Sequence, residues 1–330
     1  MRPSCRMSIS LQSPNRFLRP PCKSYHLEPP LRDPVRSRAE NSRIVTRLSR
    51  SMEVGGLDSD GKEFKNAQEM WREQVGEEGD ENKKTQWYSD GVAYWEAVEP
   101  SVDGVLGGFG HVNDADIKGS EAFLKTLLHE RLTDCGGDQH LVALDCGSGI
   151  GRITKNLLIR YFNEVDLLEP VSHFLDAARD HLAPGNPMAS DTHQAMNFIC
   201  LPLQEFTPAA GRYDVIWVQW CIGHLTDDDF LSFFKRAKAG LKPGGFFILK
   251  ENIARNGFVL DKEDRSITRS DAYFKELFHR CGLHLYKSKD QKGFPEELFA
   301  VKMYALTTDM PKKLQKNRSK VKSNRPGVIK

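Results

Sequence analysis

The chain has 330 residues, 39% hydrophobic and 28% charged, which supports a buried core and excludes fibrous, collagen-like and wholly disordered chains. No apolar run approaches the roughly 20 residues of a membrane-crossing helix, so a transmembrane span is excluded. The formal net charge of +2 hides an asymmetry: residues 1–51 hold eleven Lys/Arg against three acids and 311–330 hold eight against none, leaving 28 basic and 42 acidic residues in 52–310, a net of −14. A body of that sign is a poor match for phosphate backbones, so no nucleic acid is expected on the folded part, and its charged partners should be basic.

Residues 1–51 lack the apolar core of a secretory signal and are rich in Arg, Ser and Pro and poor in acids. Organelle transit peptides share this composition. The segment reads as a basic disordered leader, either an import signal or a leader with no address, with Met52 as an alternative start. Residues 52–86 read as an acidic extension, partly helical around Met70 and Trp71. The compact domain is expected over 87–310 and a basic disordered tail over 311–330, where basic runs often mark nuclear import. Cytoplasmic and nuclear placement is therefore expected, with organelle import through 1–51 as the alternative. The seven cysteines form no CxxC pair and no zinc-ligand spacing, which points to a reducing compartment and no metal.

From Leu141 onward short apolar runs alternate with helical stretches. LVALDC reads as a buried strand, and after a glycine-rich turn Leu157, Leu158, Tyr161 and Phe162 recur at helical spacing. VDLLE is the next strand, followed by a helix with Phe174, Leu175, Ala178 and Leu182 on one face. NFICLPL and YDVIWVQW are two further strands. Thr226 and Asp229 read as a capping box before Phe230, Leu231, Phe234 and Ala237. KPGGFFILKEN is a turn and a strand, and a helix through Tyr273, Phe274, Leu277 and Phe278 stops at Gly282. Runs at 283–286 and 298–305 suit a closing antiparallel pair. This alternation predicts an α/β, mostly parallel, doubly wound sheet with helices on both faces.

LDCGSGIGR carries the strongest chemical signal. Strand one ends at Asp145, and Gly147, Gly149 and Gly151 then let the backbone approach a ligand closely. The spacing is GxGxG rather than the dinucleotide GxGxxG, and Glu169, 22 residues past Gly147, stands where a carboxylate accepts ribose hydroxyls. The combination favours S-adenosylmethionine over NAD.

VDGVLGGFGH at 102–111, LDCGSGIGRITK at 144–155, LQEFTP at 203–208, YDVIWVQWCIGHLTD at 213–227, KPGGFFILKEN at 242–252 and LDKEDRSITR at 260–269 together resemble the eukaryotic protein α-N-terminal methyltransferases, which act on X-Pro-Lys/Arg termini. The resemblance implies a class I, Rossmann-like methyltransferase fold of seven strands, with an N-terminal helical segment and an inserted β-hairpin near 255–268 roofing a peptide channel. It places cofactor contacts at Gly147, Arg152, Glu169, Pro170, Val171, Leu203, Gln204 and Gln219. Peptide contacts fall at Trp95, Leu106, Phe109, Trp220, Asn252, Asp261, Asp264 and Ser266. Glu169 and Phe109 stand where animal members usually carry Asp and Tyr.

Methyl transfer from a sulfonium asks the enzyme to align a nucleophile and remove its proton. An α-amine of reference pKa about 7.7–8.0 costs roughly 0.4–0.8 kcal/mol to deprotonate at pH 7.4, and a lysine of about 10.4 costs about 4. A modest base suffices, and His224 and Asp264 are the candidates, with Asn252 holding the N-terminal backbone. Asp261 and Asp264 suit a basic third residue, and Trp95, Phe109 and Trp220 suit a slot for proline. The protein is expected to act as a monomer on protein substrates. A small-molecule or protein-lysine methyltransferase, or a non-catalytic cofactor-binding regulator of a homologue, are the alternatives.

Overall fold

The computed structural model describes residues 53–77, 79–132, 140–183 and 193–309; the leader and tail expected at the two ends lie outside these. A seven-stranded sheet is built from β3 (Val142–Cys146), β4 (Glu164–Leu168), β5 (Gln194–Ile199), β6 (Tyr213–Gln219), β7 (Leu241–Ile253), β10 (His284–Asp290) and β11 (Ala300–Thr307). Its order is β10-β11-β7-β6-β3-β4-β5. The first five in chain order run parallel, whereas β11 runs antiparallel to both β7 and β10, the closing pair that the sequence predicts.

Both faces are covered, which is why the central strands read as continuous apolar runs. Along β6, Ile216 and Val218 enter the core beneath α7 (Asp227–Gly240) and α8 (Asp271–Arg280). Val215 and Trp217 enter the opposite core, shared with α4 (Asn113–Arg131), α5 (Arg152–Asn156) and α6 (Ser172–His181). Phe246 to Leu249 on β7 alternate in the same way.

Three local expectations differ from the structure. Helical spacing over Leu157–Phe162 predicts one continuous helix, but α5 ends at Asn156 and a 3₁₀ turn takes up Leu158–Arg160. The apolar residues there fill the core from two short pieces. NFICLPL is shifted, since β5 starts at Gln194 and stops at Ile199. Thr226 caps α7 through the Asp229 N–H at 3.2 Å, as expected, but the return half of the box is replaced. The Thr226 N–H donates to the Tyr88 hydroxyl, and the Asp229 carboxylate receives the Thr226 and Tyr88 hydroxyls and Lys84.

A second, four-stranded sheet of order β2-β1-β8-β9 lies over the C-terminal edge of the first. It joins β1 (Gly56–Asp58) and β2 (Glu63–Phe64) to the hairpin β8 (Phe258–Asp261) and β9 (Ser266–Arg269). With α1 (Ala67–Val75) and α2 (Glu81–Glu96) it encloses a core of Phe64, Met70, Trp87, Phe258, Leu260 and Ile267. The acidic extension is therefore strand as well as helix, and it packs into the roof upstream of Trp87. The short helix α3 (Val102–Val105) and a 3₁₀ turn at Gly110–Val112 complete the fold.

Candidate active site

In an open parallel sheet, ligands bind beyond the carboxyl ends of the strands where the strand order reverses. Here that point lies between β3 and β6. The turn after β3, the end of β4 and the end of β6 meet in a first cleft of about 1100 Å³, solvent at its mouth included. Gly147, Arg152, Glu169, Pro170, Val171, Leu203, Gln204 and Gln219, all named from the sequence, line it together.

Gly147, Gly149 and Gly151 have φ of +64°, +52° and +73°, left-handed values that glycine adopts without penalty. Glu169 is 6% exposed. Its Oε2 accepts the Gly149 N–H at 2.9 Å and its Oε1 the Val171 N–H at 3.1 Å. Burial pushes this carboxyl up to about 7, against the pull of the two amides. Asp145 beneath the turn accepts the Thr154 hydroxyl at 2.7 Å, and burial raises it to about 6. Ser148 Oγ is buried without a hydrogen-bond partner.

Arg152 donates to Asp116 at 2.6 Å and to Asn113 at 3.1 Å, and Gln219 donates to both Asp116 oxygens. Lys250, fully buried, donates to Asp116, Ser120 and Gln291. Burial alone would raise the Asp116 carboxyl, but Lys250 and Arg152 hold it below its ordinary value. One carboxylate thus faces two cations, and the Arg152 side of the cluster opens on the first cleft.

A second cleft, of about 850 Å³, lies between the hairpin and β7. It shares Trp95, Val105, Trp220 and His224 with the first. Leu106, Phe109, Asn252, Asp264 and Ser266, expected as peptide contacts, are brought together along it. Asp261 is the exception: it ends β8 with its carboxylate on the Glu263 N–H and lines neither cleft. Its charge still reaches Asp264. Glu251 and the Phe294, Leu298, Phe299 and Val301 cluster also line this cleft and are missed by the sequence reading. The Phe294–Phe299 stretch, FPEELF, shows no strand or helix period, and only its fold as the loop before β11 turns its apolar residues toward the cleft.

His224 ends a 3₁₀ turn, Ile222–His224, just beyond β6. Its Nδ1 lies 3.1 Å from the Arg265 carbonyl and its Nε2 3.2 Å from the Trp95 indole nitrogen. A carbonyl only accepts and an indole N–H only donates, so the ring carries its proton on Nδ1. Arg265 reaches this position with φ of +56° and is tied to α2 through Asp90 at 2.8 Å. Asp264 is 7% exposed, its Oδ1 has no partner, and its other contacts are with Ser266. Burial raises this carboxyl, His224 opposes the rise and Asp261 adds to it. Tyr94, beside the same turn, is pushed up to about 12 by burial and by the charges of Asp264, Glu263 and Asp261.

The donor set of the first cleft fits S-adenosylmethionine. Glycine backbone and a buried, unpartnered Ser148 hydroxyl face the ligand, Glu169 retains lone pairs for two ribose hydroxyls, and the Arg152 side of the cation cluster suits a carboxylate.

Comparison with known proteins agrees with this geometry. A solved SAM-dependent methyltransferase from Leishmania major superposes with a TM-score of 0.68 at 39% identity, covering 78% of this chain and 98% of that one. The chain is 75% identical over 280 residues to alpha N-terminal protein methyltransferase 1 of Arabidopsis thaliana, covering 84% of this chain and all of that protein. It is 42% identical over 223 residues to N-terminal Xaa-Pro-Lys N-methyltransferase 1 of Danio rerio, covering 68% of this chain and 96% of that one. The family model for AdoMet dependent proline di-methyltransferases matches residues 83–307. With its class I methyltransferase fold and its S-adenosylmethionine cleft, the chain belongs to the family of AdoMet-dependent proline di-methyltransferases.

Proposed function

We propose that this enzyme transfers methyl groups from S-adenosylmethionine to the free α-amino group of protein N-termini of Xaa-Pro-Lys/Arg type. The observation that carries this reading is the meeting of two clefts at Trp95, Trp220 and His224, with Asp264 buried beside them and one of its oxygens unpartnered. The cofactor supplies an electrophilic methyl group from the first cleft. The second delivers the amine, whose modest deprotonation cost matches a raised carboxyl rather than a strong base.

Asp264 takes the proton at Oδ1. His224, its Nδ1–H tied to the Arg265 carbonyl, presents Nε2 to the same space and orients the amine once the Trp95 indole yields that position. Asn252 holds the backbone of the first residue. Trp95, Leu106, Phe109 and Trp220 wall the slot for the proline ring and exclude water. Asp261, Asp264 and Ser266 at the hairpin meet the basic third residue, Asp261 acting from the rim. The negative body supports basic protein tails as partners and argues against nucleic acid there. The reading takes the protein as a monomer of cytoplasm and nucleus.

The test is mass spectrometry of methyl transfer to a Ser-Pro-Lys peptide and its N-acetylated twin, with Asp264→Asn and His224→Ala alongside. The expected result is methylation of the free peptide alone, falling by at least tenfold in both variants. Equal methylation of the blocked peptide would move the target to the lysine and refute the reading.

A further inference from the structure

The second cleft depends on two segments far apart in sequence, the loop carrying His224 and the hairpin carrying Asp264. Arg269, the last residue of the LDKEDRSITR run, joins them. It is fully buried at the end of β9, the strand that follows the Asp264 turn. Its guanidinium donates to the Leu225 carbonyl at 2.7 Å, to the Ile222 carbonyl at 3.5 Å and to Asp227 at 2.9 and 3.2 Å. Asp227 in turn accepts the Tyr273 hydroxyl at 2.5 Å.

At the other end of the same turn, the buried Glu251 carboxyl accepts the Ile222 N–H at 3.3 Å. The Trp87 indole donates to the His224 carbonyl at 2.8 Å. The four residues Ile222–Leu225 are thus gripped by side chains from α2, β7 and β9, with an acid at the amide end and a cation at the carbonyl end. A five-donor fork is needed for this, because a lysine ammonium cannot reach two carbonyls and a carboxylate in one plane. Burying so rigid an ion pair costs desolvation that a plain apolar packing would avoid.

We propose that Arg269 is a positioning residue that fixes His224 against Asp264, so that the imidazole and the carboxylate address one nitrogen. The proposal rests on the functional reading above, and its test separates the two. Full-length protein carrying ¹⁵N-histidine is compared with Arg269→Lys and with the double variant Arg269→Met, Asp227→Asn, which leaves no lone buried charge. The His224 ring signal is assigned by its loss in His224→Ala. Calorimetry gives S-adenosylmethionine affinity, and steady-state kinetics on the Ser-Pro-Lys peptide gives kcat and KM.

The expected outcome in both variants is cofactor affinity within twofold of the parent, a kcat at least tenfold lower, and a His224 ring spectrum that passes from the Nδ1–H tautomer to a mixture. Two results would overturn the proposal: Arg269→Lys with kcat within twofold of the parent and an unchanged ring spectrum, or cofactor affinity falling in step with kcat. The second would make Arg269 a general support of the fold. If the parent does not turn over the peptide while the ring spectrum still shifts, the functional reading fails and the coupling stands.

Discussion

Gly147 opens the turn that the first cleft is built on, and replacing it with alanine should damage the protein in two separable ways. Its φ of +64° is left-handed, which costs a residue with a Cβ about 1–2 kcal/mol. The added Cβ would also lie 2.3 Å from Cys221 Cβ and 2.7 Å from its Sγ. A Cβ cannot swing aside as a side-chain tip can, so relief requires the 221 backbone to move. Overpacking of this kind costs about 1–3 kcal/mol, so the sum is about 2–5 kcal/mol, a large share of the roughly 5–15 kcal/mol that holds a domain together. Because the displaced backbone leads into Ile222–His224, affinity for S-adenosylmethionine and turnover should both fall. Urea unfolding of Gly147→Ala, Cys221→Gly and the double variant separates the contributions. The steric part should disappear in the double variant as a coupling of about 1–3 kcal/mol, while the conformational part remains. Gly147→Ala within 0.5 kcal/mol of the parent, or a full loss with no coupling, would refute the reasoning.

Phe234 is fully buried, with ring centroids of Phe230, Phe233 and Phe247 at 4.9, 5.3 and 5.1 Å; Phe234→Ala should cost about 3–5 kcal/mol by denaturant unfolding while leaving any surviving folded fraction able to bind cofactor. Burial pushes the Glu251 carboxyl up to about 8 from an ordinary 4.5, so the folded state holds its proton more tightly than the unfolded one, and stability falls as pH rises from about 4.5 through 8. Glu251→Gln should therefore gain on the parent by a few kcal/mol between pH 5 and pH 9, at about 1.4 kcal/mol per unit. Glu169 and Asp145 contribute with the same sign to both proteins, so parallel pH curves would discount Glu251. Removing residues 311–330 should lower the nuclear fraction of a fluorescent fusion in cells; an unchanged distribution would discount the tail as an import signal.

What was legible in the sequence was whatever has a period or a short-range spacing. VIWV and FFIL announce strands covered on both faces because every residue is apolar, and the glycine turn with Glu169 at its fixed distance announces a nucleotide cleft because one strand and one helix lie between them. The helix expected at Leu157–Phe162 failed for the opposite reason. Its apolar residues satisfy helical spacing equally well when a short helix and a 3₁₀ turn bury them, and only the packing against β3 and β4 decides. β1 and β2 were invisible because strands of three and two residues carry no period. The β8 strand that β1 pairs with lies about two hundred residues away, and the backbones come so close there that a Cβ on Gly257 would lie within 1.9 Å of the Gly55 carbonyl. Glu251 and Arg269 read from sequence as ordinary charged residues in strands, and only burial reveals them as a matched pair around the His224 turn.

Trp220 shows how far the site departs from what stability alone would choose. It has φ of +53° without being glycine, a strain of order 1–3 kcal/mol. Its indole N–H is also buried without a partner, an omission worth about 1–3 kcal/mol. What holds it is the Lys250 carbonyl, which accepts its backbone N–H at 3.1 Å, and the cations of Arg152 and Lys250 at 5.7 and 5.9 Å from the ring. If that N–H waits for a carbonyl of the incoming peptide, Trp220→Phe should weaken the complex more than the free protein. The phenyl ring removes the unmet donor, worth about 1–3 kcal/mol, together with part of the indole's packing against Phe294, a loss of similar size, so unfolding free energy should stay within about 1 kcal/mol of the parent. Peptide KM should rise about tenfold, the equivalent of about 1.4 kcal/mol. Cofactor affinity, which does not use the donor, should hold within twofold. A Phe variant that loses stability and keeps its KM would show that the indole N–H is met within the protein and that Trp220 serves the wall through its ring alone.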